Sequence, residues 1–407
     1  MSVSNALFVG KPLFTYPLVV EVPGILNTHT HPRDTDEEGD GRAEMHIPLL
    51  AEVYEDVLGM GNTVPPLTTR ILGAKKGAQW RALVPTGKPL RIHVAGLMTE
   101  KTNPVDVVRG YDKPYGKEDW LVMKMFLRSV SNSHGADVDD VSKIVPVLKA
   151  MTDTKRFRHK KRPMTLSIHA ERKVNLLGQR INFLGRERAA IERDLPYILS
   201  QVPEAHIIIC HVSDASTIDA IRHYRSKGYR IWGEICPHYT MWTCDDLFEG
   251  PGGKTMLNTH LFCLPIFKTE ADRRAIESAM LSGEDCWVFG TDEACHWDDP
   301  SKHKGVKTNA LGYVLGGQTQ IPKANVSYVI ERACETNRQE ILPGFLSHNG
   351  RDALGLPRSS TTTSFTRYDW SVEETVGRVS SKLGELNARV AMAGQARKYL
   401  PTAQLTP

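Results

Sequence analysis

The residues best suited to chemistry come early in this chain, in the stretch His29-Thr30-His31-Pro32-Arg33-Asp34. It follows Pro23-Gly24-Ile25-Leu26, an apolar run that reads as a short buried strand. Histidines at i and i+2 of a strand project to the same face. Two imidazoles converging at a strand end can hold one divalent metal ion. Arg33, a further step of two along, would lie beside that metal as a fixed fork for a carboxylate. Taken alone, a His-x-His pair is as readily two surface or core histidines, so the elements around it must decide.

Those elements form a regular series. Eight short apolar runs read as strands: 24–31, 56–62, 91–98, 120–126, 164–169, 205–211, 229–236 and 286–292. Most are separated by helical patterns. Val138–Met151 has apolar positions at helical spacing behind an acidic start, and Asp214–Lys227 follows Ser213 as N-cap and stops at Gly228. Thr269–Leu281 opens with acids and ends at Gly283. Strands alternating with helices predict a parallel sheet, and eight of them a closed (β/α)8 TIM barrel. The expected organisation is peripheral strands over 1–22, the barrel over 23–356, and a C-terminal extension over 357–407. In that extension Val372, Val376, Val379, Leu383, Leu386 and Val390 fall at steps of four and three, predicting an amphipathic helix within 371–399.

Five of the strand-like runs carry a metal-ligand type of residue at or near the C-terminal end: His29 and His31, Lys124, His169, His211 and Asp292. In a barrel all those ends surround one pocket. A buried strand histidine is commonly a satisfied core residue, and His93 is read that way. Five strand ends bearing such residues instead predict one shared metal site. Lys124 admits two readings. It either snorkels to solvent or pairs with an acid, or it is a neutral amine that carbon dioxide converts to a carbamate, an anionic oxygen ligand.

Composition excludes several function classes. The chain of 407 residues has a net charge of +4, with 41% hydrophobic and 24% charged residues. That is too mild for a nucleic-acid-binding protein, and the basic run Lys155–Arg162 reads as a solvated turn. The seven cysteines are scattered without a C-x-x-C pair, as in a reducing compartment. With neither a signal-peptide pattern nor a long apolar span, a cytoplasmic location is expected and no membrane contact.

Taken together, these motifs resemble the amidohydrolase superfamily and, within it, the class II dihydroorotases, over residues 24–356. His29–Asp34 is similar to the family's H-x-H-x-R-D. Gly61-Asn62-Thr63-Val64-Pro65-Pro66-Leu67-Thr68-Thr69 resembles its N-x-x-P-P-x-T-T stretch, and Ser131–Gly135 its active-site loop. Ser167–Glu171 and Cys210-His211 match its later histidine strands. His260–Lys268 and Gly290–His296 are close to two long family signatures.

The resemblance implies two zinc ions: one held by His29, His31 and Asp292, the other by His169 and His211, bridged by carboxylated Lys124 and a hydroxide. It implies that Arg33, Asn62 and His296 hold a substrate carboxylate and that the backbone around Leu261 meets a pyrimidine ring. Asp292 would act as the catalytic base and then acid. The implied activity is reversible opening of the cyclic amide of dihydroorotate to N-carbamoyl-L-aspartate, by a homodimer acting on a small molecule. Alternatives are another cyclic amidase, of hydantoinase or allantoinase type, and a catalytically silent barrel. The sequence departs from the family pattern at Asn27 in place of Asp, at Met125-Phe126-Leu127 in place of a Tyr-Pro pair, and in a shortened lid with Val130 and Ser131 where two threonines are usual.

Overall fold

A computed structural model describes residues 16–32, 42–60, 70–127, 137–172, 184–250, 254–255, 261, 263–295, 319–380 and 384–404. Its centre is a ring of parallel strands: β2 (Leu26–His31), β3 (Asp56–Met60), β4 (Arg91–Met98), β5 (Val122–Phe126), β6 (Thr165–His169), β7 (His206–Ile209) and β8 (Arg230–Ile235), each paired with the next. Between β8 and the last barrel strand lie two short strands, β9 (Glu249–Gly250) and β10 (Lys254–Thr255), paired with each other. The eighth barrel strand, β11 (Trp287–Phe289), pairs with β8. Its continuation β12 (Glu293–Ala294) crosses to pair with β2, which closes the ring.

Each of the eight expected runs contains a barrel strand, though Gly61 and Asn62 of the second lie outside the described residues and the last is strand only over Trp287–Phe289. They read clearly because parallel strands covered on both sides are apolar almost throughout: β2, β3, β5 and β6 are buried at every position. Two of the three expected helices stand where the periodicity puts them; the one expected over Val138–Met151 begins late, with Val138 bridged to Leu127, a 3-10 turn over Val141–Ile144 and the α-helix over Val145–Thr152. Asp214, not Ser213, caps Ala215–Ser226, because the Ser213 hydroxyl is bonded to Glu187 instead. Thr269 and Asp272 form a capping box on Glu270–Met280. Gly228 and Gly283 take positive φ just beyond their helices, where a side chain would be strained.

The expected C-terminal helix is not formed. Residues 362–401 instead give β13 (Thr362–Ser371), the hairpin β14 (Thr375–Ser380) and β15 (Gly384–Arg389), and β16 (Ala396–Pro401). The four-three spacing of apolar residues fits a helical face, but Thr375, Val376 and Val379 are β-branched and lose side-chain freedom in a helix. Gly377 and Gly384 further weaken a helix by their backbone freedom. Within the same stretch Val372, Val390 and Met392 are buried against Ile321 and Ala324 at the start of the outer helix Pro322–Glu335.

The N-terminal strand β1 (Val19–Pro23) pairs with β13, and β13 with β16, in one antiparallel sheet. The two ends of the chain, read from sequence as separate segments, thus share a layer outside the barrel. Residues 1–15 lie outside the described ones. No helix among the described residues is long and apolar enough to cross a membrane, and all seven cysteines are free.

Candidate metal centre

The C-terminal ends of the barrel strands converge as expected. His29 and His31, two steps apart on β2, bring their Nε2 atoms to 3.2 Å. The chain turns sharply after β11, with Asp292 in the left-handed region at φ 50° and its N–H donating to the His29 carbonyl at 2.9 Å. That turn sets Asp292 Oδ1 at 2.9 Å from His31 Nε2 and 3.1 Å from His29 Nε2. Lys124, on β5, is buried with Nζ 3.5 Å from His29 Nε2. On the far side, His169 Nδ1 and His211 Nε2 lie 2.9 Å apart. His211 also holds a positive φ, 39°, and its ring centroid is 5.5 Å from that of His29. The six expected ligands therefore form one buried cluster. Strain at two of them marks places where the surrounding structure over-determines the backbone.

Leu261 is buried at the head of the segment leading to Phe267. Arg33, Asn62 and His296 lie outside the described residues, as does the lid around Val130 and Ser131. Phe126, where the family pattern has tyrosine, packs its ring 5.4 Å from that of His169 and offers no hydroxyl.

Behind the cluster stands a layer that strand-end reasoning passed over. Glu234, at the end of β8, accepts from His29 Nδ1 at 2.7 Å, from Thr28 Oγ1 at 2.9 Å and from the His211 backbone N–H at 3.0 Å. Glu171 meets His169 Nε2 at 2.9 Å. Each carboxylate thus fixes the ring nitrogen that faces away from the cluster, which orients the other nitrogen inward. The signal for Glu234 was available: it too is an acid at a barrel strand's C-terminal end. Asn27 explains itself here. Its Nδ2 donates to Glu293 Oε1 at 2.8 Å and to Thr291 Oγ1 at 2.7 Å, while its Oδ1 accepts from the N–H groups of His29 and Thr291. An aspartate would set a second carboxylate against Glu293, whose own acid burial pushes up to about 8.

Electrostatics ask for a cation. Burial and Lys124 act to lower the His29 imidazole, yet the Glu234 and Asp292 carboxylates outweigh them and raise it to about 10. Burial acts to raise Asp292, but His29, His31 and His211 hold it well below the usual carboxylate range. Burial, His169 and Lys124 keep His211 well below its ordinary value, so it is neutral and free to donate a lone pair. His29, His31 and Asp292 place three donor atoms within 4.8 Å of one another. Nitrogen and oxygen donors about 3 Å apart are spaced as ligands each about 2 Å from a common ion. The residues present fit divalent metal. His29, Cys210 and Glu234 also bring donors within 4.8 Å of one another, but Glu234 is already bonded to His29 Nδ1.

Comparison with known proteins places the geometry in a family. No family model matches the chain. A curated dihydroorotase of Idiomarina loihiensis is 26% identical over 348 residues, covering 86% of this chain and 90% of that protein. The chain is a relative of the dihydroorotases. Among solved structures, a dihydroorotase from Saccharomyces cerevisiae in complex with 5-fluoroorotic acid superposes with a TM-score of 0.77 at 19% identity, over 94% of this chain and 98% of that one. An L-hydantoinase from Arthrobacter aurescens follows at 0.71 and 15%, over 94% and 82%. At those identities the structural matches establish the fold, a (β/α)8 barrel. The sequence match to the curated dihydroorotase covers most of the chain.

Proposed function

We propose that this dihydroorotase relative is itself a zinc-dependent dihydroorotase of the class II type, opening dihydroorotate to N-carbamoyl-L-aspartate and closing it again. The observation that carries the reading is the convergence of His29, His31, Lys124, His169, His211 and Asp292 at one barrel mouth, in a chain whose curated relatives are dihydroorotases over most of their length.

His29, His31 and Asp292 would hold one zinc ion and His169 with His211 a second, bridged by Lys124 as its carbamate. Zinc so bound lowers the pKa of a bound water toward neutrality and polarises a carbonyl oxygen. The protein's own residues do the rest. The Asp292 carboxylate, kept ionised by its imidazole neighbours, takes a proton from the attacking water at an Oδ atom. It returns that proton to the ring nitrogen as the amide C–N bond breaks. Water thus adds across one bond, and ring closure reverses each transfer. Glu234 and Glu171 keep His29 and His169 in register throughout. Arg33, Asn62 and His296 would grip the substrate carboxylate, and the backbone at Leu261 the ring. Losing the Arg33 fork should raise KM far more than it lowers kcat. A homodimer and a cytoplasmic location belong to this reading and rest on the resemblance.

The test is an assay of the full chain, purified with zinc and bicarbonate, on dihydroorotate and N-carbamoyl-L-aspartate. Turnover in both directions is expected. A preference for hydantoin or allantoin, which lack the carboxylate, would reassign the substrate. No turnover, with less than one zinc per chain, would leave a silent barrel.

A further inference from the structure

One histidine at the barrel mouth belongs to neither the ligand set nor its supporting layer. His238 opens the short helix His238–Met241 immediately after β8, behind Cys236 and Pro237. It is 2% exposed. Its Nδ1 lies 3.0 Å from Gln320 Nε2. Gln320 is positioned by its neighbour Thr319, which bridges to Ala294 on β12 and to Val390 in the C-terminal layer. The ring stacks against Tyr239, centroids 4.3 Å apart, and meets Phe267 at 5.9 Å. Phe267 lies six residues beyond Leu261, whose backbone is expected to meet the substrate ring. His238 follows the C-terminal end of β8, the end at which the metal cluster lies, and the charges of Asp292, His29 and Glu234 act on it.

The unexplained feature is Nε2. It is buried and has no hydrogen-bond partner among the described residues. With the Gln320 amide nitrogen donating to Nδ1, the ring proton sits on Nε2, so His238 offers an N–H. Burial pushes the imidazole down to about 4, so it stays neutral at working pH. A buried donor left unpaired is destabilising, and an apolar side chain would pack against Tyr239 and Phe267 without that cost. The group makes sense if its acceptor arrives with the ligand.

We propose that His238 is a substrate-positioning residue whose Nε2–H donates to a carbonyl oxygen of the pyrimidine ring, with Gln320 fixing the tautomer. This rests on the cyclic-amide reading above and adds a contact to it. Because the carbonyl is present before and after ring opening, the bond contributes chiefly to binding and should appear in KM rather than kcat.

The experiment compares zinc-loaded wild type, His238→Phe, His238→Gln and Gln320→Leu, measuring zinc content together with kcat and KM for dihydroorotate. His238→Phe should raise KM about tenfold, the size of one lost hydrogen bond, with zinc content and kcat little changed. His238→Gln, whose amide nitrogen reaches about as far as Nε2, should recover most of the loss. Gln320→Leu leaves the ring in place but frees its tautomer, and should raise KM a few-fold even if His238→Phe folds poorly. The assignment is overturned if KM stays within twofold in His238→Phe or is unchanged in Gln320→Leu. It is also overturned if the Gln variant falls with the Phe variant, or if zinc is lost in step with activity. Should wild type ignore dihydroorotate, the substrate reading fails separately. The same comparison is then made on dihydrouracil or hydantoin, which share the ring carbonyls, and a wild type that opens none of these rings ends this proposal too.

Discussion

At the floor of the barrel His93 is buried between Asp56 and Glu118, and at the mouth His29 is buried between Glu234 and Asp292. The residue types are the same, and so is the depth. The difference is in the cations. At the floor, Asp56 is bonded by the guanidinium of Arg91 at 2.6 and 2.7 Å and by Arg351 at 2.8 Å, and Glu55 meets both arginines as well. Those charges are permanent, so Asp56 and Glu55 are neutralised without a ligand. At the mouth the carboxylates face imidazoles and one lysine, whose charge a proton or a metal ion can supply. A buried carboxylate–histidine pair is therefore not evidence of a metal site. What marks one is a cluster whose positive charge is exchangeable, at the end of the barrel where the loops converge.

The largest effect that bears on this comparison comes from paired substitutions. Asp292→Asn should lower kcat by about 10³-fold or more, because it removes the proton acceptor together with a metal donor. It should leave urea-unfolding stability near that of metal-free wild type. Asp56→Asn should do the reverse, leaving the buried Arg351 charge, and the more exposed Arg91, short of a partner. A loss of about 3–5 kcal/mol in unfolding free energy is expected, with kcat of the folded enzyme within about twofold of wild type. If both variants lose stability equally, the distinction between the two ends is wrong.

Next in size is Glu234→Gln. The amide keeps the shape but gives up the charge that holds His29 Nδ1. Such supporting partners are worth about 10–100-fold in metal affinity or activity. Zinc titration should show weakened binding, whereas Glu118→Gln beside His93 should leave zinc binding untouched.

The sequence exposes the mouth and hides the floor for a physical reason. Polar residues at the ends of apolar strands stand out, and five such strands point to one place once a barrel is assumed. Asp56, Arg91 and Arg351 start strands or sit in a helix, where charged residues are ordinary, and only their contacts reveal the network. Glu234 was legible but passed over: it is an acid near the end of the run 229–236, and only its contacts show that it supports His29 rather than joining the ligand set. The tail misled because steps of four and three describe a helix face. They say nothing of how β-branched residues and glycines share a hairpin. The ring closure by Glu293–Ala294 was also illegible, since two residues carry no periodicity.

The smallest effect is in the pH dependence of stability, and it separates the two histidines. Both have folded-state values raised above the unfolded value of about 6.5: burial opposes this in each, and carboxylate partners outweigh it. A raised base stabilises fully below its unfolded value and loses that contribution as pH rises toward its folded value. In the metal-free protein, stability should therefore decline above pH about 6.5, with the share from His29 continuing to about 10. Zinc changes only one of these. A metal-bound imidazole is already deprotonated, so loading removes the share from His29 and leaves that from His93. Unfolding free energies measured from pH 6 to 10 should flatten on zinc addition, and His93→Gln should flatten the remainder. A zinc-loaded curve as steep as the metal-free one would mean that the mouth's positive charge is not exchangeable after all. Asp56 gives the control on the acid side. Burial acts to raise it, but its bonds to His93 and Arg91 hold it far below the usual range. Its contribution is present above an unfolded value of about 3.9 and is lost as pH falls through the folded one. The Asp56 share of the acid limb should be the same with and without zinc, because no metal donor takes part in it.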